Sequence, residues 1–372
     1  MSYEQASRDA IRHYAYGLGD DNPLWLDRDH AAASRWGGII APPTFLVAAG
    51  RMLPEYQPTE EEAARGRDAL PGLNMMQCGD HARWFRPIRD GDEISMRRFY
   101  IDCQLKGGED RGWTAISTFR SLFTNQDDEV VGIWDIDAIH PYDQPSVPPK
   151  ARTHSPIDLD AIAAAYDAEE IRSATPRLVE SVSVGDELPK RTRGPLTSSN
   201  VVAWAQGLSR HEVVPDRLGH KKRKAGEFAY IQNSVGGWDS IMSCHWDSEV
   251  ASNFGIARPF DWGIMRASFM VHIVTDWMGD DAIVVASDDR IRAINPLGSV
   301  NTVTARVTEI TVAEDGWPEV TCEVACTNQD DVVTATSTVR VRLPSEKLGL
   351  PEYPKAPEGR GLLPGMKGYV SP

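Results

Sequence analysis

The pentapeptide Thr-Asn-Gln-Asp-Asp occurs twice in the chain, at residues 124–128 and again at residues 327–331. Each copy lies between two segments rich in β-branched and aromatic residues, the pattern of two strands joined by a polar turn. Self-similarity at such a distance indicates two copies of one structural unit. The pentapeptide therefore predicts a duplicated, β-rich fold.

Three looser repeats occur in the same order in both halves and strengthen this interpretation. They are 14–18 with 204–208, 25–27 with 245–247, and 85–87 with 294–296. Each half also contains an apolar segment before its strands, which we predict to be a long central helix over residues 43–53 and Gly263–Met278. A helix followed by an antiparallel sheet is an α+β layout.

Composition shifts divide the chain into four parts. Residues 1–145 and 176–345 form the two repeated units, and the proline-rich stretch 146–175 is a predicted linker with one bridging helix. Residues 346–372 are rich in proline and glycine, which disfavour helices and central strands. We therefore predict that this last part is a tail laid over the surface or over a partner subunit.

The charge balance excludes several partners. The chain has 39 Lys and Arg against 54 Asp and Glu, a net charge of −15, which repels nucleic acids and anionic lipids. The first residues lack a leader pattern, and no apolar run approaches the roughly 18 residues of a membrane helix, so we expect a cytoplasmic protein. Five scattered cysteines without zinc spacing predict reduced thiols and no metal site.

Two segments of the first half carry a family resemblance. Residues 19–27, Gly-Asp-Asp-Asn-Pro-Leu-Trp-Leu-Asp, and residues 41–45, Ala-Pro-Pro-Thr-Phe, resemble the MaoC-like acyl dehydratases and (R)-specific enoyl-CoA hydratases. The resemblance is especially to the fused form whose N-terminal half is called a fatty-acid-synthase-type dehydratase. The second half adds 194–197, 245–247, 259–263 and 275–281 to this resemblance.

The resemblance implies a double hot-dog fold, in which each half wraps an antiparallel sheet around one helix and the halves pack as a pseudo-dimer. It also implies a tunnel for an acyl thioester of coenzyme A, and water addition or removal by an Asp and a His that share one water molecule. Such chemistry needs no metal or redox cofactor. Exposed sheet edges favour a homodimer or higher homo-oligomer.

The family's Asp-x-Asn-Pro-x-His motif is split between the halves. The first half keeps Asp20 and Asn22 but has Trp25 in place of the histidine, and an indole cannot act as a base. The second half keeps His245 but has Arg210 where the repeat places the aspartate. The sequence thus predicts one working site around His245 and the first half as a structural partner, in which Asp20 is either a local cap or a further catalytic candidate.

Two carboxylates are candidates for the acid that His245 lacks. Asp239 precedes His245 by six residues, and Asp261 lies where the family's loop approaches its site; spacing does not choose between them. Trp262 and Gly263 follow Asp261 and, with Asn22, are expected to bind substrate.

A basic run stands out in the acidic chain, within an insertion before His245. It consists of Lys221, Lys222, Arg223 and Lys224. The run is either a solvated loop or a contact for the phosphates of coenzyme A, which several cations together can neutralise.

Three functions fit the sequence. The first is a hydratase or dehydratase of an enoyl or 3-hydroxyacyl thioester of coenzyme A, with a bulky acyl group suggested by the eleven tryptophans. The split Asp/His pair keeps open a catalytically silent acyl-CoA-binding subunit. A hot-dog thioesterase is the third.

Overall fold

The structure is a computed structural model that describes residues 2–52, 75–108, 112–141, 155–209, 212–226 and 229–358. The described helices are α1 (Arg8–Leu18), α2 (Pro23–Leu26), α3 (Arg28–Ala33), α4 (Leu159–Asp167), α5 (Ser198–Gly207), α6 (Asp216–Ala225), α7 (Ser248–Asn253) and α8 (Gly263–Met278). None of them is long and apolar enough to cross a membrane.

The strands of the first half are β1 (Arg51–Met52), β2 (Met76–Trp84), β3 (Ser95–Gly108), β4 (Gly112–Thr124) and β5 (Val130–Pro141). Those of the second half are β6 (Glu187–Arg193), β7 (Tyr230–Gln232), β8 (Trp238–Ser240), β9 (Ile283–Ile291), β10 (Asn301–Val312), β11 (Pro318–Asn328) and β12 (Val333–Arg342). β7 and β8 form a separate hairpin, and the other ten strands form one sheet.

The sheet shows the duplication directly. Its order is β1-β3-β4-β5-β2-β9-β12-β11-β10-β6. Outward from the junction of the halves, the long strands are β2, β5, β4, β3 on one side and β9, β12, β11, β10 on the other. In chain order these are the first, fourth, third and second long strand of each half. The halves join where β2 pairs antiparallel with β9, with Asp80 opposite Asp289. The predicted α+β fold with two repeated units is therefore confirmed.

The repeated pentapeptide forms the turns β4–β5 and β11–β12. In the first turn the Asn125 side chain accepts hydrogen bonds from the backbone N–H groups of Asp127 and Glu129. Asn328 does the same in the second turn. The last aspartates, Asp128 and Asp331, have φ of 57° and 58°, a left-handed conformation that Asn and Asp tolerate better than most residues. Turn geometry thus explains why the sequence repeats here.

The central helix of the second half is confirmed. α8 spans Gly263–Met278, and every residue after Gly263 is buried, because the helix packs against strands of both halves. The corresponding prediction for residues 43–53 is wrong: a short 3₁₀ helix, Pro43–Val47, is followed by β1. Gly50 has φ 103°, which ends the helical conformation, and Leu53 lies outside the described residues.

Another repeat explains how the halves meet. Residues 14–18 end α1 and residues 204–208 end α5, and these two helices cross at Gly17 and Gly207. A Cβ on Gly17 would lie 2.9 Å from the Ala203 carbonyl oxygen, so only glycine permits this approach. Tyr14 and Trp204 pack beside the crossing with ring centroids 5.3 Å apart.

Beyond the two units, the bridging helix is α4, and the described part of the tail contacts both halves. On the second half, Arg342 donates a hydrogen bond to the Glu352 carbonyl oxygen. The Pro351 carbonyl oxygen accepts a hydrogen bond of 2.7 Å from Arg35, and Tyr353 packs on Trp36. All five cysteines are free thiols, as the sequence predicts.

Candidate active site

Asp20 is held at the end of α1 by the segment that carries the family resemblance. Gly19 ends the helix in a left-handed conformation, and Asp20 follows with only 2% of its surface exposed. The Asn22 backbone N–H donates to Asp20 Oδ1, and the Trp25 indole N–H donates to Oδ2, each at 3.1 Å. Asp20 therefore closes a local turn, but it also has further contacts.

A histidine of the other half completes the environment of Asp20. His272, on α8, places Nε2 3.3 Å from Asp20 Oδ1 and 3.1 Å from Asp276 Oδ2, one helical turn further along. All three side chains are buried. An Asp–His pair thus exists, but it forms between the two halves and uses a histidine outside the motif.

Two arginines of β6 and a glutamate continue this network. Arg191 lies 2.7 Å from Asp276 Oδ2 and 3.1 Å from Glu169 Oε2. Arg193 donates to His272 Nδ1 at 2.7 Å. Three carboxylates therefore face two guanidinium groups and one imidazole, so the charges of this buried cluster balance when His272 carries a proton.

The pKa shifts follow from this arrangement. Burial alone would lower the pKa of His272, but the carboxylates of Asp20 and Asp276 outweigh it and raise the pKa to about 9. Burial alone would raise the pKa of Asp20, but His272, the Asn22 N–H and Arg193 lower it below its usual value. Asp20 is therefore a carboxylate at neutral pH.

The Arg193 contact constrains where His272 can be protonated. A guanidinium has only donors, so Nδ1 must accept in the observed geometry, which requires the neutral tautomer with its proton on Nε2. Protonation of Nδ1 is favoured by the two carboxylates but requires Arg193 to move away. The ring's charge and the position of Arg193 are therefore coupled.

The cluster also offers the ligand types of a metal site. One ligand atom from each of Asp20, His272 and Asp276 lies within 4.8 Å of the others. However, Arg191 and Arg193 already contact Asp276 and His272, and a donor facing Nδ1 opposes metal ligation through Nε2. The donor set fits a proton-bearing network better than a divalent cation.

Asp20 forms part of the wall of a cleft of about 670 Å³ between the halves. Arg191 and Arg193 of the network also line the cleft. Met265 and Phe269 of α8 contribute apolar surface. Two carboxamides, Asn295 and Asn301, also line the cleft. Such a volume, with a few polar groups on a partly apolar wall, is typical of small-molecule sites.

The motif histidine, His245, lies at the other end of α8. Its Nδ1 is 2.8 Å from the Phe260 carbonyl oxygen, and its ring stacks on Trp262 with centroids 4.1 Å apart. Trp262 directly precedes Gly263, the first residue of α8. The structure thus brings together His245, Trp262 and Gly263, three of the predicted site residues.

Both carboxylates considered for His245 are held by other groups. Asp261 lies 2.9 Å from Arg266 Nε and accepts a hydrogen bond of 2.8 Å from Asn295; burial raises its pKa to about 6. Asp239 accepts hydrogen bonds from the Ser240 backbone N–H and from Asn233 in the β7–β8 hairpin. Arg210 lies outside the described residues.

The remaining predicted residues have local structural contacts. Asn22 caps α2 by accepting a hydrogen bond of 3.0 Å from the Leu24 backbone N–H. The basic run forms the end of α6, where Lys221 and Lys224 are exposed and Arg223 lies over the Trp238 ring at 4.5 Å. A role of this run in phosphate binding stays a prediction.

Sequence reasoning missed the residues that surround Asp20. His272 and Asp276 form a polar pair spaced four residues apart on an otherwise apolar helix, which places them on one face. Arg191 and Arg193 alternate on β6 and thus share one side of that strand. These two spacings are the signals that sequence reasoning could have used.

Residues 2–133 match the FAS1-like, dehydratase domain region. A UPF0336 protein of Parafrankia sp. is 37% identical over 97 residues, which are 25% of this chain and 58% of that protein. Another, from Streptomyces avermitilis, is 30% identical over 114 residues, or 28% of this chain and 67% of that protein. The chain belongs to the same family as the UPF0336 proteins. The chain spans less than two thirds of the length of the Parafrankia relative.

Solved double hot-dog structures cover nearly the whole chain. A MaoC-like dehydratase aligns with TM-score 0.62 and 17% identity over 91% of this chain and 95% of its own. A conserved hypothetical protein of Mycobacterium tuberculosis with a double hotdog fold aligns with TM-score 0.55 and 14% identity over 92% and 93%. These likenesses confirm the predicted double hot-dog fold.

Proposed function

We propose that this double hot-dog protein adds water to an enoyl thioester of coenzyme A, or removes water from the 3-hydroxyacyl thioester, in the cleft that Asp20 lines. One observation carries the proposal: the aspartate of the Asp-x-Asn-Pro segment is buried beside a histidine and faces a cleft between the halves. The cleft of about 670 Å³ is large enough for a bulky acyl group.

The Asp20 carboxylate can accept one more hydrogen bond, from a water molecule. An ionised carboxylate accepts about four hydrogen bonds, and Asp20 receives N–H groups from Asn22 and Trp25 with His272 as a third neighbour. Since Trp25 is the one described donor to Oδ2, that oxygen can accept a further hydrogen bond. A water bound there would be oriented by a negatively charged acceptor.

The reaction can then proceed with Asp20 as a single acid–base group. Asp20 takes a proton from the water as its oxygen attacks Cβ, and the protonated carboxyl delivers a proton to Cα, so that H and OH are both added. Negative charge develops on the thioester carbonyl oxygen, where the Arg193 guanidinium on the same wall can stabilise it. His272 holds Asp20 in place from behind and keeps it ionised.

A second candidate, acyl-thioester binding without turnover, is favoured by Trp25. Its indole N–H occupies one Asp20 oxygen at the position where the family motif has a histidine. If this contact blocks the water, the cleft binds the thioester and leaves it unchanged.

The test incubates the protein with a panel of enoyl-CoA esters of different acyl size. Loss of the conjugated thioester's absorbance without release of free thiol is the expected result. Release of thiol would identify a thioesterase, and binding without either change would identify a silent subunit; both outcomes would overturn the proposal.

A further inference from the structure

Two buried carboxamides in the cleft wall have no role in the proposed reaction. Asn295, in the loop after β9, is 1% exposed, and Asn301, at the start of β10, is 2% exposed. Both line the same cleft as Asp20. Buried polar side chains in a binding cleft usually have a hydrogen bond partner, so each one requires an explanation.

The orientation of Asn295 is fixed by its neighbours. Its Nδ2 donates to Asp261 Oδ2 at 2.8 Å, and Arg266 Nε lies 2.9 Å from the same oxygen. A flipped carboxamide would place its oxygen against a carboxylate, which electrostatic repulsion disfavours. Asn295 Oδ1 therefore remains directed away from Asp261.

Two acceptor atoms at this place have no donor. Among the described residues, neither Asn295 Oδ1 nor Asp261 Oδ1 has a hydrogen bond partner, although both atoms are buried. Leaving a buried acceptor unpaired costs free energy. A ligand group that donates a hydrogen bond would remove this cost, whereas a plain hydrocarbon chain would not.

We infer that the Asn295 wall of the cleft binds a hydroxyl group carried by the acyl chain, so that the preferred substrate is a hydroxylated acyl thioester. The inference rests on the proposed function, because it assumes that the cleft holds the acyl chain. Met265 and Phe269 pack along the hydrocarbon part, while Asn295 Oδ1 accepts the hydrogen bond of the hydroxyl.

The experiment compares a six-carbon enoyl-CoA ester with the same ester bearing a terminal hydroxyl. Both kcat/KM and the equilibrium dissociation constant are measured for the wild type, Asn295→Leu and Ser199→Ala. We expect the wild type to prefer the hydroxylated ester about tenfold, the effect of one added neutral hydrogen bond. Asn295→Leu should lose this preference, while Ser199→Ala, at the exposed mouth of the cleft, should keep it.

The outcomes separate this inference from the proposed function. Equal handling of both esters by the wild type overturns the inference, since the acceptors then bind only ordered water, while hydration itself can still occur. If neither ester is hydrated but the hydroxylated one binds about tenfold more tightly, the proposed function fails and the inference holds. The wild-type ratio decides the matter even if Asn295→Leu does not fold.

Discussion

A histidine lies toward each end of α8, and the two histidines differ in the groups that contact the ring. At the N-terminal end, His245 stands in the family motif but stacks on Trp262, while the nearby Asp261 is held by Arg266. Toward the C-terminal end, His272 stands outside any motif but lies within 3.3 Å of two carboxylates. A motif position therefore does not guarantee that a histidine meets a free carboxylate, whereas contacts between the halves bring an aspartate and a histidine together elsewhere.

Breaking the charge network at the C-terminal end should give the largest loss of stability. Arg191→Met leaves the buried Asp276 and the partly buried Glu169 without their shared cation, and breaking a buried pair such as Arg191–Asp276 typically costs about 3–5 kcal/mol. The free energy of unfolding, from urea denaturation, measures this loss.

The control is Arg306→Met, which removes a surface pair with Glu323 and should cost less than about 1 kcal/mol. Equal small losses in both variants would mean that the network around His272 contributes little to stability.

The crossing of α1 and α5 packs the helix that leads into Asp20, and adding a methyl group there should lower stability less than breaking the charge network does. Gly17→Ala places a methyl group 2.9 Å from the Ala203 carbonyl oxygen, and such overpacking costs about 1–3 kcal/mol. Thermal unfolding measures the change. Gly38→Ala, where no atom lies within 4 Å of the added Cβ, is the control and should shift stability by less than about 0.5 kcal/mol. A stable Gly17→Ala protein would show that the helices can separate freely.

Two neighbouring aspartates of β9, the strand that joins the second half to the first, should have opposite effects on stability when they are substituted. Asp289 is fully buried, and burial raises its pKa to about 8, helped by the nearby Asp80. The folded state therefore binds this proton more tightly than the unfolded state, so stability falls as the pH rises from about 4 through 8. Asp289→Asn should stabilise the protein by about 1 kcal/mol or more at pH 9, because one pKa unit corresponds to about 1.4 kcal/mol.

Asp288 is the matched control on the opposite face of the same strand. Burial alone would raise its pKa, but His81 and Arg83 outweigh it and lower the pKa to about 2, so its carboxylate stabilises the folded state above that pH. Asp288→Asn should lower stability slightly at neutral pH. Denaturation curves between pH 5 and 9 test both variants, and a parallel response of the two would contradict this assignment.

The sequence predicts the fold because the decisive features are local. A turn closed by Asn125 or Asn328, and a helix as apolar as Gly263–Met278, depend on residues close together in the chain. The helix expected at residues 43–53 failed for an equally local reason, the positive φ of Gly50.

The candidate site is harder to predict because its groups are distant in sequence. Asp20 and His272 are about 250 residues apart and meet only because α8 of one half packs under the α1 turn of the other. No residue spacing within either half predicts this contact. The four-residue spacing of His272 and Asp276 predicts only that these two side chains lie on one face of a helix.

We propose that proton transfer occurs at Asp20 and not at His245. The value of kcat/KM for hydration of one enoyl-CoA ester tests this most directly. Asp20→Asn and His245→Gln are nearly isosteric, and thermal unfolding confirms that each variant is folded. We expect Asp20→Asn to lower kcat/KM by about 10²- to 10⁴-fold, the usual effect of losing an acid–base group, and His245→Gln to change it less than about fivefold. Near-normal activity of Asp20→Asn together with loss of activity in His245→Gln would contradict the account.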